Sequence, residues 1–169
     1  NKKIRLINIT RFLWKKPLPY GYDFYEDKGN DIMIRGLAQY CMYQERDIEV
    51  HLIEKGIHVD ETKELIKTSN LERYVTWHKP MSFSNFIKFL RGADIVFEQL
   101  GTHVFTGGLY PMMVGRPVIG NGRPEIFSKF ITEPSPICQA SSPEEVLEWL
   151  EKLIPNRELR EKIGTNSRE

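Results

Sequence analysis

Cysteine is scarce in this chain. Of 169 residues only Cys41 and Cys138 carry a thiol, and their wide separation matches no metal-ligand spacing. Two readings stand, a disulfide or a pair of buried, unreactive thiols in a reducing compartment, and the spacing favours the second, with a cytoplasmic location expected. Long apolar runs are also missing: no stretch approaches the ~20 residues of a spanning helix. The charged opening, Asn1 to Arg5, leads directly into a strand, which predicts no signal peptide. Charge of one sign is missing as well. Lys and Arg number 24 against 23 Asp and Glu, so the net charge is +1. No overall field draws nucleic acid or acidic membrane, and an anion site must be local. Histidine is limited to His51, His58, His78 and His103, with no His/Cys/Asp cluster at metal spacing and no Ser-His-Asp or Cys-His signature. Internal repeats and low-complexity segments are absent.

What is present fits a single domain over residues 1–169. The apolar share of 40% and charged share of 28% are ordinary for a soluble chain. At this length a fold buries roughly 70% of its unfolded surface and needs no staple. The chain starts at Asn1 rather than Met, as a piece of a longer protein would.

Strand and helix signals alternate. Lys3 to Ile9 (KIRLINI), Ile48 to Ile53, Tyr74 to Trp77, Asp94 to Phe97 and Pro117 to Ile119 read as strands, with a weak sixth at Pro136 to Cys138. Gly29-Asn30 opens a helix with Ile34, Leu37, Ala38 and Cys41 at helical spacing. Shorter helices are predicted at Glu61 to Thr68, after the capping Ser82, and near Leu109 to Val114. Ser142-Pro143-Glu144-Glu145 combines a cap, a proline at the first helical position and acids at the positive helix end. Asn156 begins a last helix to about Asn166. This alternation predicts an α/β fold: a doubly wound, Rossmann-like parallel sheet of about six strands with helices on both faces.

Ligands of such sheets lie beyond the carboxyl ends of the strands. That directs attention to the loops at Thr10 to Asp27, Glu54 to Val59, His78 to Met81, Glu98 to Gly108 and Gly120 to Ile126. Gly107 and Gly108 stand just before a helix, where exposed amides and the helix end attract an anion; close packing is the alternative reason for glycine there. Neither a Walker motif nor a dinucleotide GxGxxG is present. Arg11 and Lys28 follow strand one and precede helix one, over the same strand ends. They read as diphosphate ligands or as solvated cations. Trp14, Tyr20, Tyr22, Phe24 and Tyr25 make an aromatic loop, either a cleft lip or a self-packed cluster. His103 lies in the Glu98–Gly108 loop and is either an ordinary polar residue or a sugar contact.

Asp27-Lys28-Gly29-Asn30-Asp31-Ile32, Ala93-Asp94-Ile95-Val96 and Met112-Met113-Val114-Gly115-Arg116-Pro117-Val118-Ile119 together resemble, in order and spacing, the carboxy-terminal half of family-4 (group 1) glycosyltransferases of the GT-B fold. The resemblance implies two Rossmann-like domains facing across a cleft, with the chain as the one that binds the sugar nucleotide. It implies transfer of a hexose, with retention, from a UDP- or GDP-sugar to a glycan or lipid acceptor, without a metal or other cofactor. An acceptor-binding domain outside this chain would be the partner and the route to any membrane surface, and this piece alone would not turn over. Residue by residue, Arg11, Lys28, Thr106, Gly107 and Gly108 match the diphosphate site. Trp77, His78, Lys79 and Met81 match the loop that brackets the base. Tyr110 stands where the family carries the second glutamate of an E-x7-E pair, which contacts ribose. Thr102 stands at the first. Glu98 is the nearest acid, and with Tyr110 and His103 it completes the ribose or sugar candidates. Loss of the glutamate removes a bidentate acceptor, a deficit of ~1–3 kcal/mol if the hydroxyls go unpaired. It opens a second reading, a non-catalytic binding or assembly module. A different doubly wound phosphate-binding domain, such as an epimerase, finds no supporting residues.

Overall fold

Successive residues of a strand point to opposite sides of the sheet, so strands with consecutive apolar residues make a sheet that must be covered twice. The computed structural model describes residues 2–23, 26–43, 45–102, 107–122 and 135–168. Within them six strands, β1 (Ile4–Asn8), β2 (Ile48–Ile53), β3 (Val75–His78), β4 (Ile95–Phe97), β5 (Val118–Gly120) and β6 (Cys138–Gln139), form one sheet. Every pairing is parallel, in the order β3-β2-β1-β4-β5-β6. The order reverses between β1 and β4, which defines the topological switch point.

The helices are α1 (Asn30–Cys41), α2 (Val59–Thr68), α3 (Phe83–Arg91), α4 (Leu109–Met113), α5 (Pro143–Leu153) and α6 (Arg157–Asn166), with a 3₁₀ turn at Glu72–Tyr74. On one face Leu6, Val50, Leu52, Ile95, Phe97 and Ile119 pack against Met33, Ile34 and Leu37 of α1, Ile66 of α2 and Val146, Leu150 and Leu153 of α5. On the other, Ile7 and Val96 meet Leu90 of α3, while Val118 meets Met112 of α4. Each fully buried side chain of this size contributes about 2 kcal/mol by leaving water. The predicted doubly wound sheet with helices on both faces is the observed one.

Local signals acted where the chemistry requires. Ser82, Ser142 and Asn156 each accept a hydrogen bond from the amide three residues on, at 3.4, 3.2 and 2.9 Å. The sixth strand is displaced from Pro136–Cys138 to Cys138–Gln139, because its partners on β5 are Ile119 and Gly120. Cys41 and Cys138 are both free. Burial raises the Cys41 thiol and pushes that of Cys138 to about 12, which leaves it unreactive. No described helix is long and apolar enough to cross a membrane.

Two glycine contacts fix the packing. Gly36 of α1 touches Val146 of α5 so closely that an added Cβ would lie 2.5 Å from its Cγ1. At the switch point the backbone before α1 crosses the loop after β4. Gly29 has φ 60°, and a Cβ there would be 2.4 Å from the Gly101 nitrogen; one on Gly101 would be 2.6 Å from the Asp27 carbonyl oxygen. Gly29→Ala combines left-handed strain with backbone overlap and should cost at least about 2 kcal/mol. Gly21→Ala, at φ 92° with nothing within 4 Å, carries the backbone strain alone and should cost about 1 kcal/mol. Denaturant midpoints at unchanged slope check the difference.

Candidate functional site

The carboxyl ends of β1 and β4 carry a buried polar frame. The Asn8 side chain donates to the Thr10 carbonyl at 3.1 Å and accepts from the Thr10 hydroxyl at 2.9 Å. Asn30, first residue of α1, donates to that hydroxyl at 2.9 Å and accepts from the Leu13 amide at 3.0 Å. Buried polar groups without partners are costly, so these bonds hold the loop after β1 in one path. Asp27, also buried, accepts from the Gly29 amide through Oδ1 at 2.9 Å and pairs with Lys16 through Oδ2 at 3.0 Å. Its carbonyl receives the amide and the hydroxyl of Thr102, both at 3.2 Å.

Lys28 is clamped through its backbone: its amide donates to the Leu13 carbonyl at 2.8 Å, and its carbonyl accepts from the Leu100 amide at 3.0 Å. Its ammonium donates to Gln99 Oε1 at 2.8 Å. The Gln99 amide is oriented by donating through Nε2 to the Thr102 carbonyl at 2.9 Å, which leaves the oxygen for Lys28. Burial, then the nearby Arg11 charge, lowers the Lys28 pKa. Arg11 rests on Glu26 at 2.8 Å and over the Tyr22 ring at 5.7 Å. The structure thus brings Arg11 and Lys28 together over the switch point.

Glu98 lies within electrostatic reach of Lys28. It is 6% exposed, and its Oε2 is buried with no hydrogen-bond partner among the described residues. A Cβ on Gly107 would be 3.3 Å from Glu98 Oε1 and 3.5 Å from Ile9, so this glycine closes over the carboxyl. Burial pushes Glu98 up to about 7, against the opposing pull of the Gln99 amide and Lys28. Gly108 directly precedes α4, whose five residues give only a short helical end.

The remaining candidates disperse. Trp77 packs against Phe12 at 5.4 Å, with the Lys63 ammonium over its ring at 5.3 Å. His78 points to the opposite face, where its Nε2 lies 2.8 Å from His51 Nδ1 and its ring meets Phe89 edge-on at 4.9 Å. The strand pleat separates these neighbours, so their side chains do not share one pocket. Lys79 forms an ion pair with Glu54. Hydrogen bonds from Lys79 and Lys63 hold that carboxyl at about 2. Met81 lines a cleft of about 430 Å³ together with Ile9, Thr10, Ile53, Lys55, Pro80, Phe83 and Phe86. Tyr110 sets its ring edge-on to Phe83 at 5.4 Å and to Phe86 at 6.3 Å, which places it toward α3. Thr106 and His103, and Phe24 and Tyr25 of the aromatic loop, lie outside the described residues. Among the described residues no group of three or more His, Cys, Asp or Glu could hold a metal ion.

The frame of Asn8, Thr10, Asn30 and Thr102 is not visible in sequence motifs. Its one advance sign is polar residues directly after the apolar strand β1, where the chain must leave the sheet without orphaning its backbone.

No protein-family profile matches this sequence, and no curated protein matches it. Solved structures do. TarM of S. aureus, in a complex with fondaparinux, alpha-GlcNAc-glycerol and UDP, superposes with a TM-score of 0.74 at 18% identity, over 99% of this chain and 31% of that one. WaaG, a glycosyltransferase involved in lipopolysaccharide biosynthesis, gives 0.71 at 17%, over 99% and 42%. Anabaena HepE, in complex with UDP and glucose, gives 0.71 at 17%, over 99% and 43%. The chain therefore spans between about a third and two fifths of these neighbours. The class that the fold defines is a Rossmann-like α/β domain. In particular, it is the domain fold found in group 1 glycosyltransferases of the GT-B type.

The Glu98 carboxyl has a direct thermodynamic consequence. Its folded value of about 7 lies above the ordinary 4.5, so the folded state holds a proton that the unfolded state has released. Stability falls as pH rises through 4.5 and levels off above 7, a total of about 3 kcal/mol. Glu98→Gln should remove that decline and be the more stable protein at about pH 8, as read by denaturant unfolding across pH.

Proposed function

We propose that this domain is the donor half of a hexosyltransferase and binds a UDP- or GDP-sugar across the carboxyl ends of β1 and β4. The observation that carries the reading is the convergence of Arg11 and Lys28 over the switch point, on a frame of buried hydrogen bonds. A diphosphate needs two such cations. The leaving nucleoside diphosphate gains charge as the glycosidic bond breaks, so cations fixed beforehand stabilise that change. Lys28 offers its charge from a half-buried position, where screening by water is weak. Arg11 must exchange Glu26 for phosphate, an exposed pairing worth under about 1 kcal/mol and readily given up. The complexes of TarM with UDP and of HepE with UDP and glucose support a nucleotide-sugar ligand.

In this reading the 430 Å³ cleft edged by Pro80, Met81 and Phe83 takes the nucleobase against apolar walls, and the backbone of the His78–Met81 segment reads its edge. The donor binds without a metal, since two cations already face the diphosphate. The acceptor and the group that activates it belong to a separate domain, transfer proceeds with retention, and this domain alone does not turn over.

One observation favours a second reading. Tyr110, which stands where the resemblance expects a ribose-binding glutamate, is turned against Phe83 and Phe86, toward α3. A domain that binds a nucleotide without transferring sugar would have this arrangement.

Calorimetric titration with UDP and GDP tests the binding claim. Micromolar to low-millimolar affinity is expected, with Arg11→Ala and Lys28→Ala each weakening it about tenfold or more. Heats indistinguishable from dilution for both nucleotides, or an unchanged affinity in both variants, would refute the donor site. Transfer or hydrolysis by the full-length enzyme across a sugar-nucleotide panel separates the two readings.

A further inference from the structure

Glu98 is an expensive residue to place at a site for anions, and the mechanism above does not use it. Its carboxyl is almost wholly buried, Oε2 has no hydrogen-bond partner among the described residues, and a Cβ on Gly107 would lie 3.3 Å from Oε1. Water cannot reach the orphan oxygen, so an ionised Glu98 has little to offset its charge. Among the described residues the charge that acts on it is Lys28, which is in turn influenced by Arg11, Glu26 and Asp27. Among the described residues its other polar support is its neighbour's amide, the Gln99 N–H. Glu98 and a bound diphosphate would therefore draw on the same ammonium. The Lys28 ammonium is anchored at 2.8 Å by the neutral Gln99 Oε1, a bond that pairing with a phosphate does not require it to break.

We propose that Glu98 is a positioning residue whose carboxylate, where it is ionised above neutral pH, is balanced by Lys28 in the free domain and takes up a proton when a sugar nucleotide's diphosphate settles against Lys28. The inference rests on the donor reading above. The step is an acid–base one: an O–H bond forms on the carboxylate as a solvent or buffer acid gives up its proton, and Lys28 keeps its own proton and charge, now paired with the phosphate. Protonation spares the domain from holding a buried anion beside a bound dianion. The free carboxyl titrates at about 7, so near neutral pH the change is within reach of ordinary solution conditions. The sign follows from linkage. Binding raises the Glu98 pKa, so the complex holds more protons than its parts, and affinity falls as pH rises past 7.

The test is calorimetry with UDP-glucose or GDP-glucose, whichever binds, because their diphosphate does not titrate near neutrality. Titrations at about pH 8 in two buffers of different ionisation heat count the protons. The expected result is uptake of a large fraction of one proton per ligand, and affinity roughly tenfold weaker at about pH 8.5 than at about pH 6. Glu98→Gln should show no uptake and a flat affinity. Binding by the unaltered domain without proton uptake overturns the role of Glu98 while leaving the donor reading intact; the same uptake in Glu98→Gln does so equally. Absence of binding at every pH overturns both. If Glu98→Gln does not fold, the unaltered protein still decides. With carboxyl-¹³C glutamate, the resonance titrating near pH 7 must move to higher pH on ligand addition, and a fixed midpoint refutes the role.

Discussion

At the centre of this domain two backbone segments cross with no room between them for one more carbon. Gly29 and Gly101 meet where the strand order reverses, and the loops they belong to lead into α1 and out of β4. The contact is more than close packing. It lets the Leu100 amide reach the Lys28 carbonyl and lets Thr102 cap the Asp27 carbonyl with both its amide and its hydroxyl. Those bonds convert two surface loops into one rigid piece. A cation mounted on such a piece loses little further freedom when it meets an anion, and low ordering cost is what distinguishes a binding site from a pair of solvated side chains.

The electrostatics follow from that rigidity. Lys28 is held half-buried within electrostatic reach of the buried Glu98 carboxyl, and Arg11 has a more exposed and more exchangeable partner. A deep cation with a neutral anchor and a shallow one with a loose counter-ion give the site a fixed and an adjustable half.

Much of this architecture was legible in the chain. Ser82, Ser142 with Pro143, and Asn156 mark helix starts through chemistry confined to four residues, and the structure uses all three as caps. The alternation of strand and helix signals carried the parallel sheet, because a buried strand must be apolar on both faces. The candidate site was legible only where position along the chain determines position in space. Arg11 and Lys28 flank strand ends and come within electrostatic reach of each other. Trp77 and His78 are adjacent in sequence, yet the pleat sends them to opposite faces, one to Phe12 and the other to His51. Tyr110 occupies the expected place on α4 but rotates toward the aromatic rings of α3. The Asn8–Thr10–Asn30 chain of hydrogen bonds joins residues up to 20 positions apart, and no local pattern announces such a link.

The union of α1 and α5 through Gly36 and Val146 bears on how the chain acquires its structure. A side-chain contact between the same helices, from Gln39 to Glu144, spans 105 positions. During synthesis the apolar stripe of α1 emerges long before the helix that covers it. Loop-closure entropy must be met before this contact returns any stabilisation, so the late arrival of α5 sets the timing of collapse on that face. Until then the stripe is a surface for chaperones or for misassociation, and truncations that remove α5 would leave it permanently in that condition.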